Sequence, residues 1–245
     1  PIYYESILNG ACSTLRETGE IDYDSLRSFP SILFGLESAL LHYKCSSYSF
    51  WNTSFSRGEN GIPINGLIWM GNTESMQKQI ADKLEAGFRC IKLKIGALNF
   101  EEELKVLRSI RSNYSKEELM LRVDANGAFS PGEAMDKLNR LAELEIHSIE
   151  QPIRNGQWDE MAKLASISPV PIALDEELIG VNCLTEKKKL LTNIKPQYII
   201  LKPSLHGGLV GAEEWIKEAT NLNIDWWITS ALESNIGLNV IAQWT

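Results

Sequence analysis

Five apolar runs in this chain each close on a charged residue, and the closing positions recur at nearly even intervals. The runs are Cys90-Ile91-Lys92-Leu93-Lys94, Leu121-Arg122-Val123-Asp124, Ser148-Ile149-Glu150, Pro171-Ile172-Ala173-Leu174-Asp175 and Tyr198-Ile199-Ile200-Leu201-Lys202. Their last residues, Lys94, Asp124, Glu150, Asp175 and Lys202, are 30, 26, 25 and 27 positions apart. A strand, a crossover helix and two loops together take about 30 residues. The interval therefore predicts successive βαβ units and a parallel sheet. Charges at the C-terminal ends of consecutive parallel strands are where a β/α barrel keeps its chemistry.

Around these runs the apolar period alternates between that of a strand and that of a helix. Ile64 to Met70 reads as a first strand, and Thr73 as the cap of a helix running to Gly87, a residue suited to the position just past a helix end. Asn99 reads as a second cap. Glu101, Glu102 and Glu103 fill the first turn after it and Lys105, Arg108 and Arg111 come later, an order that suits the helix dipole. Ser130-Pro131-Gly132-Glu133 combines capping-box spacing with proline at the first helical position, and Met135, Leu138, Leu141 and Leu144 follow on one side. Further helices are expected near 157–166, 184–192 and 209–221.

Strands near 64–70, 89–95, 119–124, 146–150, 170–175, 197–202 and 225–230 make seven β/α repeats. The predicted class is α/β, a (β/α)8-type TIM barrel occupying residues 61–245 and interrupted after its seventh strand. Such a barrel closes with about eight strands, so the sequence reads as a piece of a longer enzyme. Residues 1–60 read differently, as a partial second domain and linker. Ser28 is a plausible cap, Pro30 suits a first turn, and Leu33, Leu36, Leu40 and Leu41 recur at helical spacing through about Tyr43. Cys45 to Gly61 is polar, aromatic and glycine-containing, as a connection would be.

Composition narrows the function. The net charge of −8 argues against a nucleic-acid partner, which selects basic surfaces. The longest apolar stretches are strand-length, so neither a membrane span nor a signal peptide is expected. Cys12, Cys45, Cys90 and Cys183 lack the paired spacing of a zinc site or redox dithiol, and are expected to be reduced, mostly buried thiols. His42, His147 and His206 are too few and too dispersed for a histidine metal site or a Ser/His/Asp triad; His206, shortly after Lys202, is expected to be a loop residue.

The closing charges suggest one chemistry. Side chains alternate along a strand, so Lys92 and Lys94 face the same way while Ile91, Leu93 and Ile95 face the helices. Two adjacent ammonium groups are expected to lower the pKa of at least one of them, preparing a base. Asp124, Glu150 and Asp175 converge at one rim and repel unless a cation neutralises them. Oxygen-only ligands favour Mg²⁺ first and Mn²⁺ second. Lys202 is expected on the far side of the ring from Lys94, with the metal between them. Two opposed lysines and a divalent ion suit proton removal next to a carboxylate, the resulting dianion being held by metal and ammonium. Asn126 is expected to support the metal ligands. Gly207-Gly208 reads as loop flexibility at a helix start.

With these residues in view, the chain resembles the enolase superfamily and, within it, the muconate-lactonizing subgroup. The resemblance rests on Ile91-Lys-Leu-Lys-Ile-Gly96, Val123-Asp-Ala-Asn-Gly-Ala-Phe129, Ile149-Glu-Gln-Pro152, Leu174-Asp-Glu176 and Leu201-Lys-Pro-Ser204. Ser230-Ala-Leu-Glu-Ser-Asn-Ile-Gly-Leu238 looks most like the branch that dehydrates a 2-succinyl-6-hydroxy-cyclohexadiene carboxylate, and Phe34-Gly-Leu-Glu-Ser-Ala-Leu40 looks like part of the superfamily's capping domain. The resemblance implies that Lys94 is base and then acid in a syn dehydration, and that Lys202 stabilises the enolate by cation–π contact. It implies that Lys92 tunes Lys94 or touches the substrate carboxylate, and that Asp124, Glu150 and Asp175 bind Mg²⁺. It further implies a small-molecule carboxylate substrate, a place in bacterial menaquinone synthesis and a cytoplasmic location, leaving oligomeric state open. Dipeptide epimerases and N-acylamino acid racemases of the subgroup use the same two lysines and three carboxylates. A barrel-shaped binding protein with a vestigial site is the alternative from another class.

Overall fold

The computed structural model describes residues 2–69 and 71–245, and divides into two compact units. One unit holds the chain through Ile62 together with Leu178–Lys189 and Ile200–Thr245; the other holds Pro63–Glu177 and Leu190–Ile199. In chain order the helices α1 (Ile2–Thr18), α2 (Tyr23–Leu26) and α3 (Pro30–Cys45) come first. They are followed by β1 (Gly66–Ile68), α4 (Thr73–Glu85), β2 (Cys90–Lys94), α5 (Phe100–Arg111), β3 (Met120–Asp124) and α6 (Pro131–Ala142). Then come β4 (Ser148–Glu150), α7 (Trp158–Ile167), β5 (Ile172–Leu174), α8 (Leu184–Ile194), β6 (Tyr198–Leu201), α9 (Gly208–Asn221), β7 (Asp225–Ile228) and α10 (Asn235–Trp244). The strands lie in sheet order β1 to β7, which is the repeated β/α winding that the spacing predicts.

In the unit built on Pro63–Glu177, β1 through β6 pair in parallel. Ile91, Leu93, Leu121, Val123, Ile149 and Ile172 are fully buried, as are Leu104 and Leu107 of α5 and Leu138 and Leu141 of α6. Apolar residues on the helix side of each strand thus form the core, and the polar residues of the same strands are turned to the other face. The helix ends follow local chemistry. Asn99 accepts from the Glu101 N–H at 2.9 Å, and Ser130 and Glu133 complete a capping box with Pro131 opening α6. The α4 cap is Asn72 rather than Thr73: its Oδ1 accepts from the Ser75 N–H at 2.8 Å, and Thr73 is already the first helical residue. The first strand is shorter than the expected 64–70; Met70 lies outside the described residues.

In the unit built on the N-terminal helices, Ile21, Leu26, Ile32, Leu33 and Leu36 form one apolar cluster with Ile7, Ala11 and Leu15 of α1 and Val210 of α9. Phe34, Leu209, Val240 and Ile241 form a second, with Trp51, Ile228 and Trp244 packed on it. Ser28 is not the cap of α3. Phe29 occupies that position and makes no side-chain cap, and Pro30 follows at N1, where a missing N–H costs nothing. Glu37, buried in the middle of α3, accepts from the Leu209 N–H at 2.5 Å and the Val210 N–H at 3.1 Å. It thereby caps α9, whose own N-cap, Gly207, has no side chain to offer. Gly208 has φ +74°, and a Cβ there would collide with the Glu37 carboxylate. This is a steric requirement for glycine, not the flexibility expected of Gly207-Gly208.

The cysteines are all free, but they are not mostly buried as expected: Cys45 and Cys183 are exposed, and Cys12 and Cys90 are half-buried. Cys45 ends a helix and Cys183 immediately precedes one, positions that face solvent more often than element interiors do. Among the described residues no helix is long and apolar enough to cross a membrane.

Candidate active site

Register brings the charges together. Lys94 of β2 lies beside Asp124 of β3, and Asp124 beside Glu150 of β4. Glu150 pairs with Ala173, so Asp175, just past the end of β5, stands two residues further along its strand. Lys92 and Lys94 share the polar face, as expected, while Ile91, Leu93 and Ile95 are buried on the other.

The two lysines are held by acids rather than by repulsion from each other. Lys92 Nζ donates to Glu150 Oε2 at 2.6 Å and to Asp124 Oδ2 at 3.1 Å. Lys94 Nζ donates to the same Asp124 oxygen at 2.6 Å and to Asn126 Oδ1 at 2.7 Å. Asp124 Oδ2 therefore serves both ammonium groups. The expectation that two neighbouring lysines depress a pKa does not hold for Lys92. Burial alone would lower it, but the Glu150 and Asp124 charges outweigh burial and hold it above 10.5.

The acids divide by environment. Burial pushes Asp124 upward, yet the Lys92 charge and the Lys94 hydrogen bond outweigh it and hold Asp124 below 3.8. Glu150 goes the other way. Burial first, then the Asp124 and Asp175 carboxylates, push it well above 4.5 against the pull of Lys92. Among the described residues its buried Oε1 has no hydrogen-bond partner, a costly state for a carboxylate oxygen. An all-oxygen set with one orphaned buried acceptor fits a hard divalent cation better than a soft one. Among the described residues, however, no three Asp, Glu, His or Cys side chains are gathered as a ready-made cage, and Lys92 bridges two of the acids.

A second layer ties the strand ends together. Gln151, directly after Glu150, adopts φ +39° and is fully buried. Its Oε1 accepts from the Asp175 and Glu177 N–H groups, each at 3.2 Å, while its Nε2 donates to Glu177 Oε2 at 3.0 Å and Ile153 O at 3.1 Å. One amide thus fixes where Glu150 and Asp175 end their strands. Asn126, at φ +44°, gives its backbone N–H to Asp124 Oδ1 at 3.0 Å and its Nδ2 to Glu176 Oε1 at 2.7 Å. Gly127 follows at φ +73°, and a Cβ there would press on the Arg154 backbone. Gln151, Glu176 and Glu177 are absent from the residues singled out by spacing. Their signal is only that they adjoin the strand-end acids in Ile149-Glu-Gln-Pro152 and Leu174-Asp-Glu-Glu177.

In the other unit, Lys202 directly follows β6, next to a tight turn. Its backbone N–H donates to His206 Nδ1 at 2.9 Å, and the Leu205 and His206 N–H groups donate back to Lys202 O at 2.8 and 3.1 Å. His206 is buried, so it is more than the loop residue expected: it fixes the backbone from which Lys202 projects. Ser204 Oγ bonds the Glu233 carboxylate, which also accepts the Ala231 N–H at 2.7 Å, joining the loops after β6 and β7.

Residues 75–245 match the family model described as "Enolase C-terminal domain-like". The chain is 51% identical over 243 residues to an o-succinylbenzoate synthase of Desulfotalea psychrophila, covering 99% of this chain and 65% of that protein. An N-succinyl-L-Arg/Lys racemase of Bacillus cereus is 25% identical over 176 residues, 71% of this chain and 46% of that protein. Among solved structures, MenC from Desulfotalea psychrophila superposes with a TM-score of 0.85 at 49% identity, covering 99% of this chain and 66% of that one. The chain thus spans about two thirds of the length of the relative it matches over nearly its whole extent.

Proposed function

The chain belongs to the Enolase C-terminal domain-like family, and from that premise we propose that it carries the reacting groups of an o-succinylbenzoate synthase. The observation that carries the reading is the near full-chain likeness to that synthase, in a chain whose Lys94, Asp124 and Glu150 sit side by side on adjoining strand ends. Under this reading Lys94 takes the proton from the ring carbon next to the substrate carboxylate. It then returns that proton to the departing hydroxyl on the same face, so that water leaves and the ring becomes aromatic. Lys202 holds the negative charge that develops in between, against the ring face. Lys92 acts on Lys94 through their shared Asp124 oxygen and keeps the carboxylate cluster from being uniformly negative.

Asp124, Glu150 and Asp175 would hold Mg²⁺, with Mn²⁺ as a substitute, and the orphaned Glu150 oxygen supports that assignment. When bound, the ion supplies positive charge where the substrate carboxylate gains negative charge. Residues 1–60 are assigned to the capping domain of the superfamily and 61–245 to the barrel. Under this reading the enzyme acts in menaquinone synthesis, in a bacterial cytoplasm.

The racemase relative supports a second reading, α-proton exchange of an N-acylated amino acid or a dipeptide, which needs the same lysines. Offering the full natural polypeptide both substrates in parallel separates the two. Loss of the cyclohexadiene absorbance is expected. Deuterium exchange of the amino acid in D₂O without dehydration would replace the synthase by the racemase. Chelation with EDTA is expected to abolish turnover and Mg²⁺ to restore it; full turnover in chelator would remove the metal assignment.

A further inference from the structure

The hydrogen bonds around Lys94 extend one step beyond the groups that the reaction needs. Lys94 Nζ donates to Asp124 Oδ2 at 2.6 Å and to Asn126 Oδ1 at 2.7 Å, and Asn126 Nδ2 donates to Glu176 Oε1 at 2.7 Å. Asn126 and Glu176 are 50 positions apart in sequence, on the loops after β3 and β5. We propose that Asn126 and Glu176 form a positioning relay that aims the lone pair of Lys94. The proposal rests on the reading of Lys94 as the base and deepens it.

An ammonium group can only donate and an ionised carboxylate can only accept. An amide placed between them has one productive orientation: carbonyl toward Lys94, NH₂ toward Glu176. Flipping it would put a donor against a donor and an acceptor against an acceptor, losing both bonds. Glu176 thus dictates which end of Asn126 the lysine meets. Asn126 cannot drift, because its backbone N–H is bound to Asp124 Oδ1 at 3.0 Å in the left-handed conformation, φ +44°, that Asn tolerates better than most residues. A neutral lysine amine has two N–H bonds and one lone pair. With the N–H bonds given to Asp124 and Asn126, the lone pair takes the remaining direction and cannot rotate away. The Glu176 charge also polarises the amide, strengthening its carbonyl as an acceptor.

The relay predicts how variants combine. In the full natural polypeptide with Mg²⁺, Glu176→Ala should lower kcat for the cyclohexadiene substrate about tenfold or more and leave KM nearly unchanged. The isotope effect on kcat with α-deuterated substrate should rise, because proton removal becomes slower than other steps. Asn126→Ala should do at least as much, and Asn126→Ala/Glu176→Ala should match Asn126→Ala alone, since Glu176 acts only through the amide. A swap of polarity guards against a folding defect. Asn126→Asp faces Glu176 with a second carboxylate and should be slow; adding Glu176→Gln, whose Nε2 can donate to the new carboxylate, should recover part of kcat. Independent, multiplying losses, a loss confined to KM, an unchanged isotope effect or no recovery in the swap would each overturn the relay. If the wild type dehydrates nothing but exchanges an amino-acid α-proton, the synthase reading fails while the same variants test the relay in the exchange assay. If the wild type does neither, the base itself is wrong and the relay falls with it.

Discussion

Two buried glutamates, one in each unit, show how the same physical condition serves different ends. Glu150 closes β4 at the strand-end rim, and Glu37 sits within α3 against the start of α9. Both are nearly inaccessible, at 2% and 7% exposure, and burial is the first cause of a raised pKa in each. They differ in what surrounds them. Both oxygens of Glu37 receive backbone N–H groups, and the charged neighbour that raises its pKa further is Glu213. Glu150 has a lysine on one oxygen, no hydrogen-bond donor on the other among the described residues, and two more carboxylates pressing on it. A satisfied buried acid closes a structural account, whereas a crowded, half-satisfied one holds unspent electrostatic energy that a ligand can draw on.

That contrast can be broken from either side. The largest effect should come at the rim and in the loop after β6. Lys94→Ala and Lys202→Ala should each lower kcat by on the order of 10²–10⁴-fold with an unchanged circular dichroism melt; a variant of either lysine with near-normal turnover would take it out of the mechanism. The junction should respond in the opposite currency. Glu37→Ala strands the Leu209 and Val210 N–H groups and should cost about 2–4 kcal/mol of stability, read by urea denaturation. Turnover at a temperature where the variant stays folded should be little changed. Lost turnover with full stability would dissolve the distinction between the two acids.

The smallest effect is a pH dependence. Glu37 is raised from 4.5 to about 7, so the folded state binds this proton more tightly than the unfolded chain does. Its contribution to stability is complete below pH 4.5 and is lost as pH climbs through 7. Between pH 5 and pH 7 the loss should be about 2 kcal/mol, and Glu37→Gln should flatten that part of the stability profile. An identical slope in the variant would mean that the carboxylate ionises normally in its buried seat.

Much of the barrel was legible because strand burial obeys a period of two and helix ends obey capping chemistry. Lys92 and Lys94 alternate with Ile91 and Leu93 as the pattern requires, and Asn99 and Ser130 cap where hydrogen-bonding side chains precede a helical run. The failures are equally specific. The cap of α4 falls on Asn72 instead of the expected Thr73 and that of α3 on Phe29 instead of Ser28, since a one-residue shift in a cap leaves the apolar pattern unchanged. Helix α1 carries no expectation at all; its Ile7, Ala11 and Leu15 are only partly buried where they pack on the N-terminal cluster. The capping of α9 by Glu37 is invisible in sequence, because 172 positions separate Glu37 from Leu209.

Which residues end the strands, and that their charges fall at matching ends, is written in the sequence, because alternation and interval are local properties of the chain. How those charges are partnered was decided by the tertiary structure. Only register places Asp124 under two lysines, only the meeting of the loops after β3 and β5 sets Asn126 between Lys94 and Glu176, and only a buried amide at Gln151 anchors Glu150 to Asp175. Hydrogen bonds depend on distances of a few tenths of an ångström between groups far apart in the chain, and no local pattern encodes such distances.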